Sequence, residues 1–261
     1  MKIAFLNKYQ NKVFRGAETF VYELSKRLSK NHEVDVIVDI NYFTLLKNKY
    51  DVIIPTNGRW QVIIVRKIAW LTGAKMIVSG QSGMGWDDGI NLYTFPNVFI
   101  ALSSKALNWA KKVNPFVKSV YIPNGVDLER FKNIDSRFKN KTKTILTVGA
   151  ATKQKRLDLV IKAVAKLSDV NLLIASGGGD LGDEIYDLGI MSLGERFKMI
   201  SVPFEKMPEV YRVADIFTLP SASSESFGNV LVEAMASGFP VVATDDPVRR
   251  EIVGNAGILV D

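Results

Sequence analysis

The sequence has 261 residues, of which 47% are hydrophobic and 10% aromatic, values that are typical of a globular protein with a sizeable core. It contains no cysteine and a single histidine, which excludes disulfides, thiolate catalysis and a metal site built on histidines. No apolar run reaches the roughly 20 residues needed to cross a bilayer, and the apolar start of the chain is too short for a signal peptide.

Buried-strand patterns alternate with amphipathic-helix patterns, which predicts an α/β fold with parallel sheets. The first half predicts strands at 2–6, 34–38, 52–55, 75–79, 98–101 and 119–122, and helices at 16–30, 60–71 and 104–112. The second half predicts strands at 144–148, 171–175, 197–201, 216–220 and 241–244, and helices at 157–167, 181–190, 206–213 and from Asn229 onward. Residues 128–142 are polar and lack periodicity, so we assign them to a linker between a domain of residues 1–127 and a domain of residues 143–261.

Charge is distributed unevenly between these halves. Residues 1–141 carry 22 Lys and Arg against 11 Asp and Glu, whereas residues 142–261 carry 12 against 16, which together give the net charge of +7. A basic first half favours an anionic partner such as a membrane surface, a phosphorylated acceptor or nucleic acid. A solubilising face is the alternative interpretation.

The most informative segment holds two carboxylates, Glu225 and Glu233, eight positions apart on either side of a helix start. The amides of Phe227, Gly228 and Asn229 lie at this start, where free N–H groups and the positive helix end favour a phosphate. Carboxylates only accept hydrogen bonds, so they suit sugar hydroxyls. Eight helical residues span about 12 Å, which is comparable to the reach from a nucleotide ribose across a diphosphate to a hexose.

This segment resembles the E-x7-E motif of retaining, nucleotide-sugar-dependent glycosyltransferases of family 4. The resemblance implies the GT-B fold, in which two Rossmann-like α/β/α domains with parallel sheets face a cleft. It also implies that Glu225 binds the donor sugar as a catalytic residue and that Glu233 binds the ribose. The amides of Phe227, Gly228 and Asn229 are then expected to hold the diphosphate.

Two further loops resemble donor-binding motifs of the same family. Residues 15–18 are similar to its G-G-A-E loop, with Arg15 in place of the first glycine, and this adds Gly16 to the expected donor site. Residues 148–158 are similar to its V-G-R-x4-K-G-x-D stretch, in which an arginine and a lysine grip the diphosphate. Lys155 matches the lysine, Ala150 replaces the arginine and Arg156 replaces the glycine. Arg156 is therefore a candidate for the missing positive charge, as is the nearby Lys153.

Two glycine-rich loops leave alternatives open. In loop 79–86 many family members carry a histidine near the reacting sugar, and Gln81 is the nearest occupant here, so we include Gln81 as a candidate catalytic residue. Segment 176–182 formally matches the G-x-G-x-x-G pattern of dinucleotide sites. A dehydrogenase is disfavoured because no ribose-binding acid is placed after the following strand. The I-P-N-G-V-D segment at 122–127 resembles the end of the family's N-terminal domain.

The family resemblance implies transfer of a hexose-type sugar from a UDP- or GDP-linked donor to an unknown acceptor, which could be a glycan, a lipid-linked molecule or a small molecule. Such chemistry belongs to cell-envelope glycan or glycolipid biosynthesis. We expect no cofactor and no metal, since the sequence has no D-x-D triplet, and no nucleic-acid partner.

Two alternatives remain. One is a nucleotide-sugar-binding subunit that needs a partner chain, and the other is an NDP-sugar epimerase of the same fold. The assembly could be a complex with a partner subunit or a homodimer. The subunit hypothesis rests on family members continuing beyond the position of Asp261. We expect a cytoplasmic protein, with peripheral binding to the inner face of the membrane as the role of the basic first half.

Overall fold

Each half of the chain is built on a six-stranded parallel sheet. The computed structural model describes residues 1–10, 12, 16–132, 142–223 and 225–261, which form two units, Met1–Asn124 and Gly125–Asp261. The predicted α/β fold with parallel sheets is confirmed.

The first unit has its strands in the order β2-β1-β3-β4-β5-β6. Its elements are β1 (Lys2–Leu6), α1 (Gly16–Leu28), β2 (Glu33–Ile37), α2 (Tyr42–Lys47), β3 (Val52–Pro55), α3 (Arg59–Thr72), β4 (Lys75–Ser79), α4 (Trp86–Tyr93), β5 (Val98–Ala101), α5 (Ser104–Val113) and β6 (Ser119–Tyr121). The chain leaves β1 toward one edge of the sheet and β3 toward the other. This reversal opens a crevice at the carboxyl ends of β1 and β3, where open α/β sheets bind ligands.

The alternating direction of side chains along the strands divides the core of the first unit between the two faces of the sheet. Ala4 and Leu6 pack in a cluster with α2, α3, α4 and α5, whereas Ile3 and Phe5 pack with α1. Successive strand residues point to opposite faces, so a strand that is covered on both faces is apolar at nearly every position. This explains the unbroken apolar run of β1.

The second unit has its strands in the order β12-β11-β10-β7-β8-β9. Its elements are α6 (Leu128–Lys132), β7 (Lys143–Val148), α7 (Leu157–Val164), β8 (Val170–Ala175), α8 (Gly182–Leu193), β9 (Phe197–Ile200), α9 (Met207–Arg212), β10 (Ile216–Leu219), α10 (Asn229–Ala236), β11 (Val241–Thr244), α11 (Pro247–Val253) and β12 (Gly257–Val260). α7 and α8 cover one face of the sheet, and α6, α9, α10 and α11 cover the other.

Residues 128–132, which we assigned to the linker, form helix α6 instead. Phe131 of this helix is 1% exposed and packs edge-on against Tyr211, with 5.6 Å between the ring centroids. Burying a phenylalanine stabilises a fold by roughly 1.5–3 kcal/mol, which is a sufficient reason for this short segment to join the second unit. Residues 133–141 of the predicted linker lie outside the described residues.

Besides α6, four elements were not predicted from the sequence: α2, α4, α11 and β12. α2 and α11 contain only 6 and 7 residues, and each begins at a side-chain cap, Asn41 and Asp246. α4 begins at the end of the glycine-rich loop and contains Gly89. Helices this short offer too few positions for a 3.6-residue period to be visible in the sequence.

Candidate functional site

Two loops of the second unit meet where its sheet reverses strand order. β7 and β10 are neighbours, and the chain continues from β7 toward one edge of the sheet and from β10 toward the other. Loops 149–156 and 220–228 follow these strands. The amide of Ala222 donates to the carbonyl of Gln154 over 2.8 Å, so the loops are joined directly. The carboxyl ends of β7 and β10 are therefore the expected ligand position of this unit.

Lys155 and Glu225 face each other across these loops. The Nζ atom of Lys155 lies 2.6 Å from Oε2 of Glu225, and the two side chains are 19% and 16% exposed. The aliphatic part of Lys155 crosses Gly149, where a Cβ atom would lie 3.2 Å from Cδ of Lys155. The structure thus brings together two predicted site residues that are 70 positions apart in the chain.

Arg156, the second predicted cation of this loop, has a left-handed backbone with φ of 52° and ψ of 40°. This conformation favours glycine, the residue that the family pattern has at this position. The side chain of Arg156 is exposed and makes no capping hydrogen bond to α7. Arg156 thus follows Lys155 directly in the chain, and its side chain is accessible to solvent.

The loop after β10 ends in a left-handed turn that starts α10. Gly228 has φ of 88°, and a Cβ atom there would lie 3.3 Å from Leu231 and 3.4 Å from Leu219, so glycine fits the turn in both conformation and space. Phe227 is 5% exposed, and its ring anchors the turn in the interior. Asn229 is the first residue of α10, whose N-terminal end carries partial positive charge.

Glu233 lies inside α10 and is only 8% exposed, in contrast to an ordinary surface glutamate of a helix. The hydroxyl of Tyr211, on α9, donates to Oε2 of Glu233 over 2.9 Å. Burial first, and then the charge of Glu233, raise the pKa of Tyr211 well above its ordinary value, so this phenol stays protonated and a donor. The sequence predicts a helix over 206–213, which contains Tyr211, but nothing in that pattern connects Tyr211 to Glu233.

A buried arginine that sequence reasoning missed supports the loop after β10. Arg249, on α11, is 1% exposed and forms an ion pair with Asp246. Its Nη2 atom donates to the carbonyl of Ser221 over 2.9 Å, to the Ser221 hydroxyl over 2.6 Å and to the carbonyl of Ala222 over 3.0 Å. Burial lowers the pKa of Arg249, and the nearby charge of Glu225 opposes that shift. This guanidinium thus ties α11 to the loop that carries Glu225.

The glycine-rich turn after β8 packs against the loop after β7. The amide of Ala151 donates to the carbonyl of Gly178 over 2.7 Å, and the amide of Leu181 donates to the carbonyl of Ala151 over 2.9 Å. A Cβ atom at Gly179 would overlap the backbone of Ala151. Close packing of two backbones therefore accounts for Gly179 without a dinucleotide ligand.

In the first unit, Gln81 is engaged in a reciprocal pair of amide hydrogen bonds. Its Nε2 atom donates to Oδ1 of Asn124 over 3.0 Å, and Nδ2 of Asn124 donates to Oε1 of Gln81 over 3.1 Å. This pair joins the glycine-rich loop after β4 to the I-P-N-G segment after β6. The catalytic role of Gln81 stays a prediction.

Gly16 opens α1 at the carboxyl end of β1 and is exposed. Arg15 lies outside the described residues. A cavity of about 500 Å³ lies at the ends of β1, β2 and β3 of the same unit. Its lining combines cations with aromatic rings: Lys8, Lys12, Arg59, Tyr9, Tyr42 and Trp60. Such a lining suits an anionic ligand that also presents a ring.

Within the described residues, no group of three or more acidic or histidine side chains could hold a metal ion. In the same part of the chain, every helix is too short or too polar to span a membrane. The expected independence from metal stays a prediction.

Comparison with known proteins identifies the family. The family model described as Glycosyl transferases group 1 matches residues 129–261, which are just over half of the chain and include both loops of the candidate site. The chain belongs to the glycosyl transferases group 1 family. The prediction of a glycosyltransferase is thereby confirmed at the level of the family.

The fold is that of GT-B glycosyltransferases, as the sequence predicted. A crystal structure of HepE from Anabaena, in complex with UDP and glucose, superposes with a TM-score of 0.82 at 18% identity, over 100% of this chain and 85% of that chain. A likeness at this identity establishes the shared fold.

Curated relatives match the chain over part of their length. A phosphatidyl-myo-inositol mannosyltransferase of Mycobacterium tuberculosis is 34% identical over 171 residues, which are 62% of this chain and 44% of that protein. A mannosylfructose-phosphate synthase of Agrobacterium fabrum is 34% identical over 145 residues, which are 47% of this chain and 32% of that protein. The chain thus spans less than half the length of either relative.

Proposed function

We propose that this chain is a retaining family 4 glycosyltransferase that moves a hexose-type sugar from a UDP- or GDP-linked donor to an acceptor hydroxyl. The Lys155–Glu225 pair at the strand-order reversal of the second sheet carries this proposal. A cation and a carboxylate at one ligand position suit a molecule in which a diphosphate is joined to a sugar. Family membership and the HepE complex with UDP and glucose support the same donor class.

In the proposed reaction the bond between the anomeric carbon and the diphosphate breaks on the face where the acceptor oxygen attacks. The leaving diphosphate takes the proton of the acceptor hydroxyl, so no separate base is required. Lys155, Arg156 and the N-terminal end of α10 stabilise the negative charge that grows on the diphosphate. We propose that these fixed positive groups take the place of a metal ion.

The two carboxylates bind the two sugars of the donor. Glu225 accepts hydrogen bonds from hydroxyls of the transferred sugar, after its ion pair with Lys155 opens to admit the diphosphate. Glu233 accepts hydrogen bonds from the ribose. Glu233 lies four positions after Asn229, the first residue of α10, which is about 6 Å along the helix axis from the diphosphate end.

The cavity of the first unit is the proposed acceptor site. Lys8, Lys12 and Arg59 suit a phosphate, and the rings of Tyr9, Tyr42 and Trp60 suit a hydroxylated ring. The name of the mannosyltransferase relative makes phosphatidyl-myo-inositol a reasonable first acceptor to test. We further propose that the protein binds anionic lipid surfaces peripherally when its acceptor is lipid-linked.

A donor and acceptor screen tests the proposal. Wild-type protein and Glu225→Ala are incubated separately with UDP-glucose, UDP-galactose and GDP-mannose, with and without vesicles that contain phosphatidylinositol. We expect one donor to raise the melting temperature, because a ligand that binds only the folded state stabilises it. Sugar transfer from that donor by wild type, lost in Glu225→Ala, supports a transferase.

Other outcomes of the same screen separate the alternatives. Donor binding without hydrolysis or transfer supports a nucleotide-sugar-binding subunit that needs a partner chain. Release of an epimerised sugar in the absence of acceptor supports an epimerase. No binding of any donor contradicts the proposal.

A further inference from the structure

Tyr211 is held in one orientation by its surroundings. Its side chain is 0% exposed. The ring lies edge-on to Phe131, with centroids 5.6 Å apart, and tilted against Phe217, with centroids 6.0 Å apart. Because packed aromatic rings leave no room for another rotamer, the hydroxyl of Tyr211 occupies a fixed position.

This fixed hydroxyl is aimed at the buried carboxylate of Glu233. It donates to Oε2 over 2.9 Å, whereas its distance to the carbonyl of Val230 is 3.3 Å. A hydrogen bond to a charged acceptor is stronger than one to a neutral carbonyl, and a buried phenol that loses its partner is costly. The carboxylate of Glu233 is thus restrained from the side of the core by a group that cannot turn away.

We propose that Tyr211 is a positioning residue for Glu233, which sets the orientation in which that carboxylate meets the ribose hydroxyls of the donor. The inference rests on the proposed function, in which Glu233 binds the ribose. A carboxylate in one fixed orientation forms well-aligned hydrogen bonds to the ribose, whereas a loosely held carboxylate loses alignment. Tyr211 should therefore contribute to the preference for ribonucleotide over 2′-deoxyribonucleotide donors without touching the donor itself.

A purely structural role for Tyr211 predicts a different pattern. If the ring only fills the core, removal of the hydroxyl should change stability and affect every ligand of the protein alike. If the hydroxyl orients Glu233, its removal should weaken donors with ribose more than donors with 2′-deoxyribose, which keep only the 3′-hydroxyl for Glu233 to bind. Tyr211→Phe separates the two roles, because it removes one oxygen and keeps the ring between Phe131 and Phe217.

The test compares matched donors on three variants. Affinity and transfer are measured with UDP-glucose and GDP-mannose and with the 2′-deoxyribose form of each, on wild type, Tyr211→Phe and Glu233→Gln. Tyr186→Phe, a change at a half-exposed tyrosine of α8, serves as the control. We expect Tyr211→Phe to weaken binding of the ribose donor about 10-fold, with kcat within about twofold of wild type and a smaller loss for the 2′-deoxy donor.

Each outcome decides the matter. A selective loss for the ribose donor in Tyr211→Phe, with a larger selective loss in Glu233→Gln and none in Tyr186→Phe, supports the proposal. Equal losses for both donors, or no loss for either, overturn it while leaving the proposed function intact. If Tyr211→Phe fails to fold, Glu233→Gln alone decides whether the ribose preference depends on this carboxylate, and an unchanged preference overturns the proposal. Wild-type protein that binds no donor overturns the proposed function itself.

Discussion

At the residue scale, the ion pair of Lys155 and Glu225 combines partial exposure with a position at the ligand end of the sheet. Its two side chains are accessible enough to exchange partners with a ligand. The backbone hydrogen bond between Ala222 and Gln154 joins the two loops and so keeps the two side chains close to each other. The pair is therefore suited to binding, because Lys155 and Glu225 each retain some solvent contact at the ligand end of the sheet.

Replacement of Glu225 by alanine should reduce sugar transfer strongly and stability moderately. We expect kcat/KM to fall by about 100-fold or more, because a hydrogen-bonding group at the transferred sugar is lost. The free energy of unfolding should fall by about 1–3 kcal/mol, because the largely buried Lys155 loses its partner. A transfer assay and urea unfolding measure the two effects, with Glu184→Ala on the exposed start of α8 as the control. Transfer at the wild-type rate by Glu225→Ala would remove Glu225 from the site.

Asp88 makes the free energy of unfolding depend on pH in the direction opposite to that expected for a salt-bridged carboxylate. Burial raises its pKa from 3.8 to about 7, with a smaller contribution from Asp87, while hydrogen bonds from Asn91 and from the amides of Gly83 and Ser82 oppose the shift. The folded state therefore binds more protons than the unfolded state between about pH 4 and pH 7, so the free energy of unfolding falls as pH rises through this range.

Asp88→Asn should remove this pH dependence. The cost of ionising Asp88 in the fold is at most about 4 kcal/mol, at roughly 1.4 kcal/mol for each pKa unit. We expect the variant to gain stability relative to wild type as pH rises from about 5 to about 8. Urea unfolding at both pH values measures this, and Asp183→Asn, at the exposed start of α8, is the control. If the free energy of unfolding of wild type and Asp88→Asn varied with pH in the same way, the pKa of Asp88 would not be raised in the fold, and the prediction would be wrong.

At the scale of elements, the contact between α8 and β9 depends on a glycine. Gly189 lies in the buried face of α8, and a Cβ atom there would overlap the ring of Phe197 at the start of β9. Overpacking of this kind typically costs 1–3 kcal/mol. Glycine at this position lets the helix approach the sheet closely, on the face opposite to α9 and α10.

Alanine at Gly189 should therefore destabilise the second unit, although alanine favours helix formation. We expect Gly189→Ala to lower the free energy of unfolding by about 1–3 kcal/mol. Gly182→Ala is the matched control in the same helix, because nothing lies within 4 Å of a Cβ atom at Gly182. That control should be neutral or stabilising by up to about 1 kcal/mol. Chemical denaturation of the two variants measures both effects, and equal stability would contradict the packing argument.

Sequence patterns predict those elements whose own residues form a hydrophobic period or an apolar segment. Most strands of both sheets are rich in apolar residues because the sheets are covered on two faces, and every strand except β12 was predicted to within a few residues. The edge strand β12 escaped prediction, as did α2, α4 and α11, whose starts depend on single side chains or on packing. The helix α6 escaped for the same reason, since Phe131 becomes informative only when Tyr211 lies beside it.

The same reasoning explains which site residues the sequence could reveal. Glu225, Glu233 and Lys155 stood out because they match motifs with fixed spacing. Arg249 did not, because an arginine is expected on a surface and only the fold shows that it is buried beneath the loop after β10. The partnership of Tyr211 with Glu233 joins two helices, and nothing in either helix indicates the other.

At the scale of the whole molecule, charge and exposed aromatic surface both concentrate in the first unit. Among the described residues, ten of the eleven exposed large aromatic side chains lie in residues 1–124. Trp60, Trp70 and Trp86 are each more than 70% exposed. Residues 1–124 also carry 17 Lys and Arg against 8 Asp and Glu. Exposed tryptophan together with excess positive charge is typical of surfaces that bind anionic membranes.

We therefore expect the protein to bind anionic vesicles in a salt-dependent manner. It should co-sediment with vesicles that contain phosphatidylserine, bind weakly to pure phosphatidylcholine, and be released by high salt, because screening weakens attraction to the lipid charge. Trp70→Ser should weaken binding, whereas Tyr186→Ser in the second unit should not. Sedimentation that is independent of both anionic lipid and salt would contradict this expectation.

The central claim is that the loops after β7 and β10 together bind a nucleotide sugar, and hydrogen–deuterium exchange of the intact chain tests it most directly. Exchange is followed with and without the donor that most raises the melting temperature. We predict slower exchange in peptides that cover 149–156 and 220–233, because a bound donor restrains both loops. Protection that is absent from both loops, or confined to the first unit, would contradict the claim.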